Sequence, residues 1–179
     1  MNNSATNMAA AFLRRIREPR LPAIAVAFRF QRESPTTAHS GVSYRGVVEK
    51  RFVNPPGLSP ARGFAHVVIA SGGRTVFVGG QVAYDGKGEV VGKGDLHAQT
   101  RQVYENLKLA LAAAGATFAD VVTSNAYVVN LERKDLAAIR EVRSQYLPQQ
   151  DPPASTVVGV AARANPDCLI EIEVIAVVK

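Results

Sequence analysis

The chain has 179 residues, of which 47% are apolar and 20% are charged, a balance typical of one globular domain with a hydrophobic core. Its single cysteine, Cys168, excludes an intrachain disulfide, and its three dispersed histidines lack a metal-binding spacing. The net charge of +6 lies mostly in residues 1–46, which hold seven Arg and two Glu. The remaining chain is nearly neutral and has no long apolar run, so we expect neither nucleic acid nor a membrane as a partner.

Residues 1–50 form an Arg-rich, acid-poor segment that is interrupted by Pro19, Pro22 and Pro35. Three interpretations remain open: a disordered extension, upstream sequence included through an incorrect start codon, or a targeting segment, since AAFLRRIR is short, basic and amphipathic. We therefore divide the chain into this extension and a folded domain at 51–179. We expect the protein in the cytoplasm, or in an organelle if the extension is a targeting signal.

The first half of the domain predicts two strands followed by a helix. The runs FAHVVIA (64–70) and RTVFVGGQVA (74–83) are rich in β-formers, and the Ser-Gly-Gly sequence between them is typical of a hairpin turn. After a glycine-rich turn, Asp95 is a suitable N-cap, and apolar residues then recur at helical spacing over five turns. Gly115 follows where a left-handed residue would end the helix.

The second half predicts a strand, a helix and two further strands. ADVVTSNAYVVNL (119–131) is rich in Val and Thr, and residues 132–147 carry an apolar helical face that Pro148 ends. STVVGVA and CLIEIEVIAVV then suggest a second strand pair. The order β-β-α-β-α-β-β predicts an α+β fold, a two-layer sandwich with both helices on one face of a mixed sheet.

The last strand has two unlike faces, because side chains alternate along a strand. One face is entirely apolar and should meet the helices: Ile170, Ile172, Val174, Ala176 and Val178. The other face mixes aliphatic and acidic residues: Leu169, Glu171, Glu173, Ile175 and Val177. Such a surface suits a partner subunit better than solvent, and a carboxylate held at an interface is suited to acid–base chemistry.

Several motifs occur in the order and spacing of one protein family: GGQ at 79–81, AQTRQVYENL at 98–107, AAGA at 113–116, PPAST at 152–156 and IEIEVIA at 170–176. With these motifs, residues 55–179 resemble the RidA/YjgF/UK114 family of reactive-intermediate deaminases. The resemblance implies a chorismate-mutase-like fold and a homotrimer with a central barrel and clefts between subunits. It also implies hydrolysis of small enamines and imines to a carbonyl compound and ammonia, without a metal or organic cofactor.

The resemblance also implies roles for individual residues. Glu171, the first acid of the IEIE segment, corresponds to the catalytic group that holds the attacking water. Gly80 corresponds to the glycine whose backbone faces the ligand, and Gly79 replaces a serine. Phe64 falls at or near an aromatic position that is usually tyrosine, and Tyr127 lies near a strand position that lines the pocket.

One departure from the family pattern concerns the substrate carboxylate. Active members carry an arginine directly after the Pro-Ala pair, where this chain has Ser155. A hydroxyl replaces neither the charge nor the fork geometry of a guanidinium group. Arg163, between the last two strands, and Arg62 are candidates for a compensating cation in the substrate site.

The sequence therefore leads to three hypotheses of function. The first is a homotrimeric enamine or imine hydrolase of the 2-iminobutanoate/2-iminopropanoate deaminase type, with specificity altered by Ser155. The second is a non-catalytic trimer that binds or senses a small metabolite. The third is an endoribonuclease or chaperone-like relative, which the near-neutral domain disfavours because phosphate contacts need clustered cations.

Overall fold

The structure, a computed structural model, describes residues 47–179. The interpretations of the extension therefore fall outside the described residues, apart from its last four positions. The first strand begins at Glu49, two residues before the boundary that we placed at residue 51. The elements are β1 (Glu49–Val53), β2 (Val67–Ser71), β3 (Arg74–Gln81), α1 (Leu96–Ala113), a 3₁₀ turn (Phe118–Asp120), β4 (Val121–Val129), α2 (Asp135–Arg143), β5 (Ala154–Val160) and β6 (Ile170–Val178).

The strands form a four-stranded mixed sheet and a separate two-stranded ribbon. The sheet has the order β3-β6-β4-β5, in which only the β4–β5 pair is parallel, and the ribbon pairs β1 with β2 antiparallel. The helix α2 makes the crossover between the parallel strands, as parallel pairing requires. The α+β architecture is confirmed, with one more strand at its start than the sequence pattern predicted.

Two predicted strand pairings are wrong. The strand β2 pairs with β1 rather than with β3, although Gly72 and Gly73 form the expected turn with φ values of 73° and 69°. The strands β5 and β6 do not pair either, because β4 lies between them. The partner of β2 is β1, which is too charged to be recognised as a strand, and the partner of β3 is β6, which is distant in sequence. Local patterns therefore identified strands but not their neighbours.

The hydrophobic core lies between the sheet and the two helices. The apolar face of β6 meets this core, which confirms the predicted division of that strand. The fully buried side chains include Val103, Leu107 and Leu111 of α1, Ile139 and Val142 of α2, and Ile170, Ile172, Val174 and Ala176 of β6. The helices therefore cover one face of the sheet only, and within residues 47–179 no layer covers the opposite face of β3, β6 and β4.

The helix ends follow the predicted signals for α1 but not for α2. Asp95 accepts a hydrogen bond from the Ala98 amide, and Gly115 has a φ of 71°, so both predicted ends of α1 are confirmed. The second helix ends at Arg143 instead of continuing to 147, because the chain turns there and Tyr146 stacks on Tyr104 with ring centroids 5.0 Å apart. Neither helix is long and apolar enough to cross a bilayer in the part of the chain described.

Candidate functional site

The face of the sheet that the helices leave uncovered carries a row of polar groups beside apolar ones. We call it the outer face and define it by Phe77, Asn125, Tyr127, Glu171, Glu173 and Ile175. Strand register places Tyr127 opposite Glu171, Asn125 opposite Glu173, and Phe77 opposite Ile175. Since residues directly opposite each other in an antiparallel pair project from the same face, these three pairs form one surface.

Glu173 is held by two hydrogen bonds on this surface. The Tyr127 hydroxyl and the Asn125 amide both donate to its Oε1 atom, each at 3.0 Å. The hydrogen bond to Glu173 raises the pKa of Tyr127, so this hydroxyl stays protonated at neutral pH. Glu173 is therefore a hydrogen-bond acceptor with a structural role on this face.

Glu171 has a different environment, in which one cation contacts its carboxylate. Arg163, from the connection between β5 and β6, forms an ion pair with Glu171, and its guanidinium lies over the Tyr127 ring at 5.8 Å from the centroid. The Glu171 and Arg163 side chains are 24% and 18% exposed. The structure thus brings together three of the residues predicted for the site, and Glu171 keeps contact with solvent.

The two glycines of the GGQ motif differ in what surrounds them. A β-bulge interrupts the register between Val78 and Gln81, and Gly80 lies against the Glu171 carboxylate. A Cβ atom at Gly80 would overlap Glu171 Oε1, whereas a Cβ at Gly79 would meet no atom within 4 Å. The absence of a side chain at position 80 therefore leaves space for the Glu171 carboxylate. Bulges of this kind commonly change the direction of side chains beside functional sites.

This contrast predicts unequal effects of two alanine substitutions. Gly80→Ala should displace the Glu171 side chain and lower the free energy of unfolding by about 1–3 kcal/mol, the usual cost of overpacking. Gly79→Ala, the matched control, should change it by less than ~0.5 kcal/mol. Urea denaturation of both variants measures this difference, and equal values for the two would contradict the contact between Gly80 and Glu171.

A depression of about 260 Å³ lies on the outer face and begins at Glu173, two residues after Glu171 on β6. Its lining combines aromatic, aliphatic and polar groups: Phe77, Val78, Gly79, Thr123, Asn125, Glu173, Val174 and Ile175. Glu171 is not part of this lining, so the depression alone does not form a site around the predicted catalytic acid. Residues outside this depression would be needed to enclose a site around Glu171.

Phe64 and Ser155 lie on a different surface. Ser155 is beside the buried Ser124 of β4, so it projects toward the helices rather than to the outer face. A second depression, of about 300 Å³, is bounded by the β1–β2 connection, β5 and α2. Its lining residues are Arg62, Phe64, Leu131, Leu136, Ile139, Arg140, Arg143, Ser155 and Val157. Within one chain the predicted site residues are therefore divided between two surfaces.

One buried amide that positions Glu171 was not singled out from the sequence. Gln99, on α1, is fully buried; its Nε2 donates to the carbonyl oxygens of Gly92 and Asp167, and its Oε1 accepts from the Leu169 amide. These bonds fix the start of β6 two residues before Glu171. The signal in the sequence was a glutamine within the apolar stripe of a helix.

A second residue of α1 fixes the chain that follows the GGQ motif. Asn106 donates from Nδ2 to the carbonyl oxygens of Val82 and Tyr84, both at 2.8 Å, and so fixes the chain just after β3. Asn106, like Gln99, belongs to the AQTRQVYENL motif. Within residues 47–179, no group of three His, Cys, Asp or Glu side chains is arranged to hold a metal ion.

Comparison with known proteins agrees with this fold. The family model described as endoribonuclease L-PSP matches residues 56–178. A RutC family protein of Pyrococcus horikoshii is 41% identical over 105 residues, which are 58% of this chain and 79% of that protein.

Two solved structures extend the comparison. The Rid family protein YyfB of Yersinia pestis is 46% identical, with a TM-score of 0.67 over 72% of this chain and 98% of that one. TdcF of E. coli, solved with bound serine, is 31% identical, with a TM-score of 0.51 over 59% of this chain and 81% of that one. The fold and the motifs define an α+β protein of the Rid type. This chain belongs to the RidA/YjgF/UK114 family, the family of the endoribonuclease L-PSP model.

Proposed function

We propose that the protein is a homotrimer that hydrolyses small imines or enamines in clefts between its subunits. The observation that carries this proposal is the division of the site residues. Phe64 and Ser155 lie on one surface, Glu171 and Gly80 on another, and only a second copy can bring such surfaces together. Phe77, which is 76% exposed on the otherwise half-buried outer face, also favours a covered interface.

The chemistry that Glu171 can perform is proton transfer to and from water. Its carboxylate accepts a proton as the water oxygen bonds to the imine carbon, and the same proton then goes to the nitrogen. In the resulting carbinolamine, the hydroxyl group then gives its proton by way of the same carboxylate to the nitrogen as the C–N bond breaks. Ammonia leaves, the carbonyl compound remains, and one water is consumed for each imine. A positioned general base typically contributes about 10²–10⁴-fold to such a rate. The bound serine of TdcF supports an amino-acid-sized ligand for this cleft as well.

A trapping assay tests the reaction directly. An amino-acid oxidase generates 2-imino acids such as 2-iminobutanoate, and semicarbazide traps them; the protein should reduce the semicarbazone formed. Unchanged trapping with several amino acids would refute hydrolysis. Unchanged trapping together with a rise in Tm on adding a small ligand would instead favour the metabolite-binding trimer.

The proposed trimer predicts that the outer face is sensitive to charge. Phe77→Glu would bury a carboxylate among aliphatic residues of neighbouring copies, so the trimer should dissociate to monomers at micromolar concentration. Leu109→Glu is the matched control, because Leu109 is 70% exposed on α1, away from the outer face, and this variant should remain trimeric. Native mass spectrometry measures both, and a monomeric wild type would refute the assembly.

The description of the family model makes ribonuclease activity the second candidate. Residues 47–179 carry fourteen basic and thirteen acidic side chains, and this balance gives little electrostatic attraction for RNA. RNA-degrading activity that survives purification to constant specific activity and disappears in Glu171→Gln would support this candidate. Activity that decreases with each purification step would indicate a contaminant.

A further inference from the structure

Three arginines surround Ser155, the position at which the family pattern has a single arginine. Arg62 comes from the β1–β2 connection, whereas Arg140 and Arg143 lie one turn apart on α2. All three line the depression of about 300 Å³ that contains Ser155, and all three also line a neighbouring one of about 130 Å³. Three guanidinium side chains thus converge where two hollows adjoin.

This cluster has no counter-charge among residues 47–179, where every salt bridge involves other side chains. Arg143 donates from Nη1 to the Gly63 carbonyl, while its buried Nε and Nη2 atoms have no hydrogen-bond partner in the described residues. Burial lowers the pKa of Arg143, the neighbouring Tyr104 hydroxyl raises it, and the charge of Arg140 lowers it further. A partly buried cation with unused donors beside a second cation is stabilised when an anion accompanies it.

The shape of the larger hollow indicates which anion would fit. Its remaining walls are mostly apolar and come from α2, β5, the β1–β2 connection and the β4–α2 connection: Phe64, Leu131, Leu136, Ile139 and Val157. A hollow of this size with cations at one end suits a small molecule that has a few carbon atoms and one anionic group. The planar guanidinium matches a carboxylate with two parallel hydrogen bonds, and the Ser155 hydroxyl can donate one more.

We propose that Arg143, assisted by Arg62 and Arg140, binds the carboxylate of a small organic acid beside Ser155. The cation that β5 lacks is thus supplied by α2 and by the β1–β2 connection. The inference rests on the proposed function for the nature of the ligand, a 2-imino acid, and it makes such acids rather than uncharged imines the substrates. Binding itself requires no turnover, so it can be measured independently of hydrolysis.

Calorimetric titration of the full chain with 2-oxobutanoate, a stable carboxylate of the product type, tests this site at low ionic strength. Arg143→Ala should weaken binding by about tenfold or more, the effect of losing charge-assisted hydrogen bonds. The affinity of Arg143→Lys should lie between those of the wild type and Arg143→Ala, since lysine keeps the charge but loses the fork geometry of the guanidinium group. The control is Arg133→Ala, an exposed arginine on the connection before α2, which should bind like the wild type.

Several results would overturn the proposal. These are no binding of 2-oxobutanoate to the wild type, equal binding to Arg143→Ala, or equal binding of the uncharged analogue butanone. Inorganic phosphate binding as tightly as 2-oxobutanoate would overturn the carboxylate specificity. If circular dichroism shows that Arg143→Ala is unfolded, Arg62→Ala and Arg140→Ala provide the same test, each with an expected loss of about threefold.

The failure of this inference is distinguishable from failure of the proposed function. Binding that depends on Arg143, in a wild type that hydrolyses no imine, would leave the anion site standing and remove the hydrolase. Hydrolysis of 2-imino acids that is unaffected in Arg143→Ala would support the hydrolase and remove the anion site.

Discussion

Glu171→Gln is expected to lower the rate of 2-imino acid hydrolysis by about 100-fold or more, because an amide cannot take the proton from water. The substitution keeps the size of the side chain and removes its charge, so Arg163 loses its ionic partner. Since both side chains retain contact with solvent, the unpaired guanidinium can be hydrated and the fold should persist. The trapping assay, run on variant and wild type at equal protein concentration, measures the loss.

The neighbouring acid supplies the matched control for this experiment. Glu173→Gln also removes one carboxylate charge from the outer face, but Glu173 already accepts from Tyr127 and Asn125. We expect this variant to keep most of the hydrolytic rate and to lose some stability. A larger loss of rate in Glu173→Gln than in Glu171→Gln would show that Glu173, and not Glu171, transfers the proton.

Gln99→Leu is expected to cost about 3 kcal/mol in the free energy of unfolding, the largest effect on stability that we predict. Leucine has a similar volume but offers no hydrogen bonds, so the Leu169 amide and the carbonyl oxygens of Gly92 and Asp167 lose their partner. Unpaired buried backbone groups are costly because water cannot replace the missing bonds. Thermal and urea unfolding, followed by circular dichroism, would quantify the change.

A surface glutamine shows what the same substitution does without burial. Gln150→Leu, at an exposed position before β5, should change stability by less than ~0.5 kcal/mol. If Gln99→Leu were as mild as Gln150→Leu, the buried amide would not be what fixes the start of β6. The lower stability should also be accompanied by lower hydrolytic activity, because Glu171 follows that strand start by two residues.

The sequence predicted the features that depend on neighbouring residues. Asp95 begins α1 and Gly115 follows its last turn, as expected, because capping involves groups within one turn. The alternation along β6 also identified its buried face, since a strand that packs on helices shows this in its own residues. The end of α2 was predicted less well, because the stacking of Tyr146 on Tyr104 involves a different helix.

The remaining features depend on residues that are far apart in sequence. The charged strand β1 takes β2 as its partner, and nothing within either strand indicates this pairing. The arginine cluster likewise joins Arg62 to Arg143 across the domain, so the missing arginine at Ser155 was visible in the sequence but its neighbours were not. Family motifs located Glu171 and Gly80, whereas their contact with each other is a result of the bulge in β3.

The three hydrogen bonds of Gln99 have a consequence for motion in the domain. One amide group joins the glycine-rich turn before α1 to the connection that carries Arg163. Because one side chain bonds both segments, displacement of either segment disturbs the amide that holds the other, so the two should open and close as a single cooperative unit. Motion of the glycine-rich turn before α1 would then be coupled to motion of the connection that carries Arg163, on the opposite side of that glutamine.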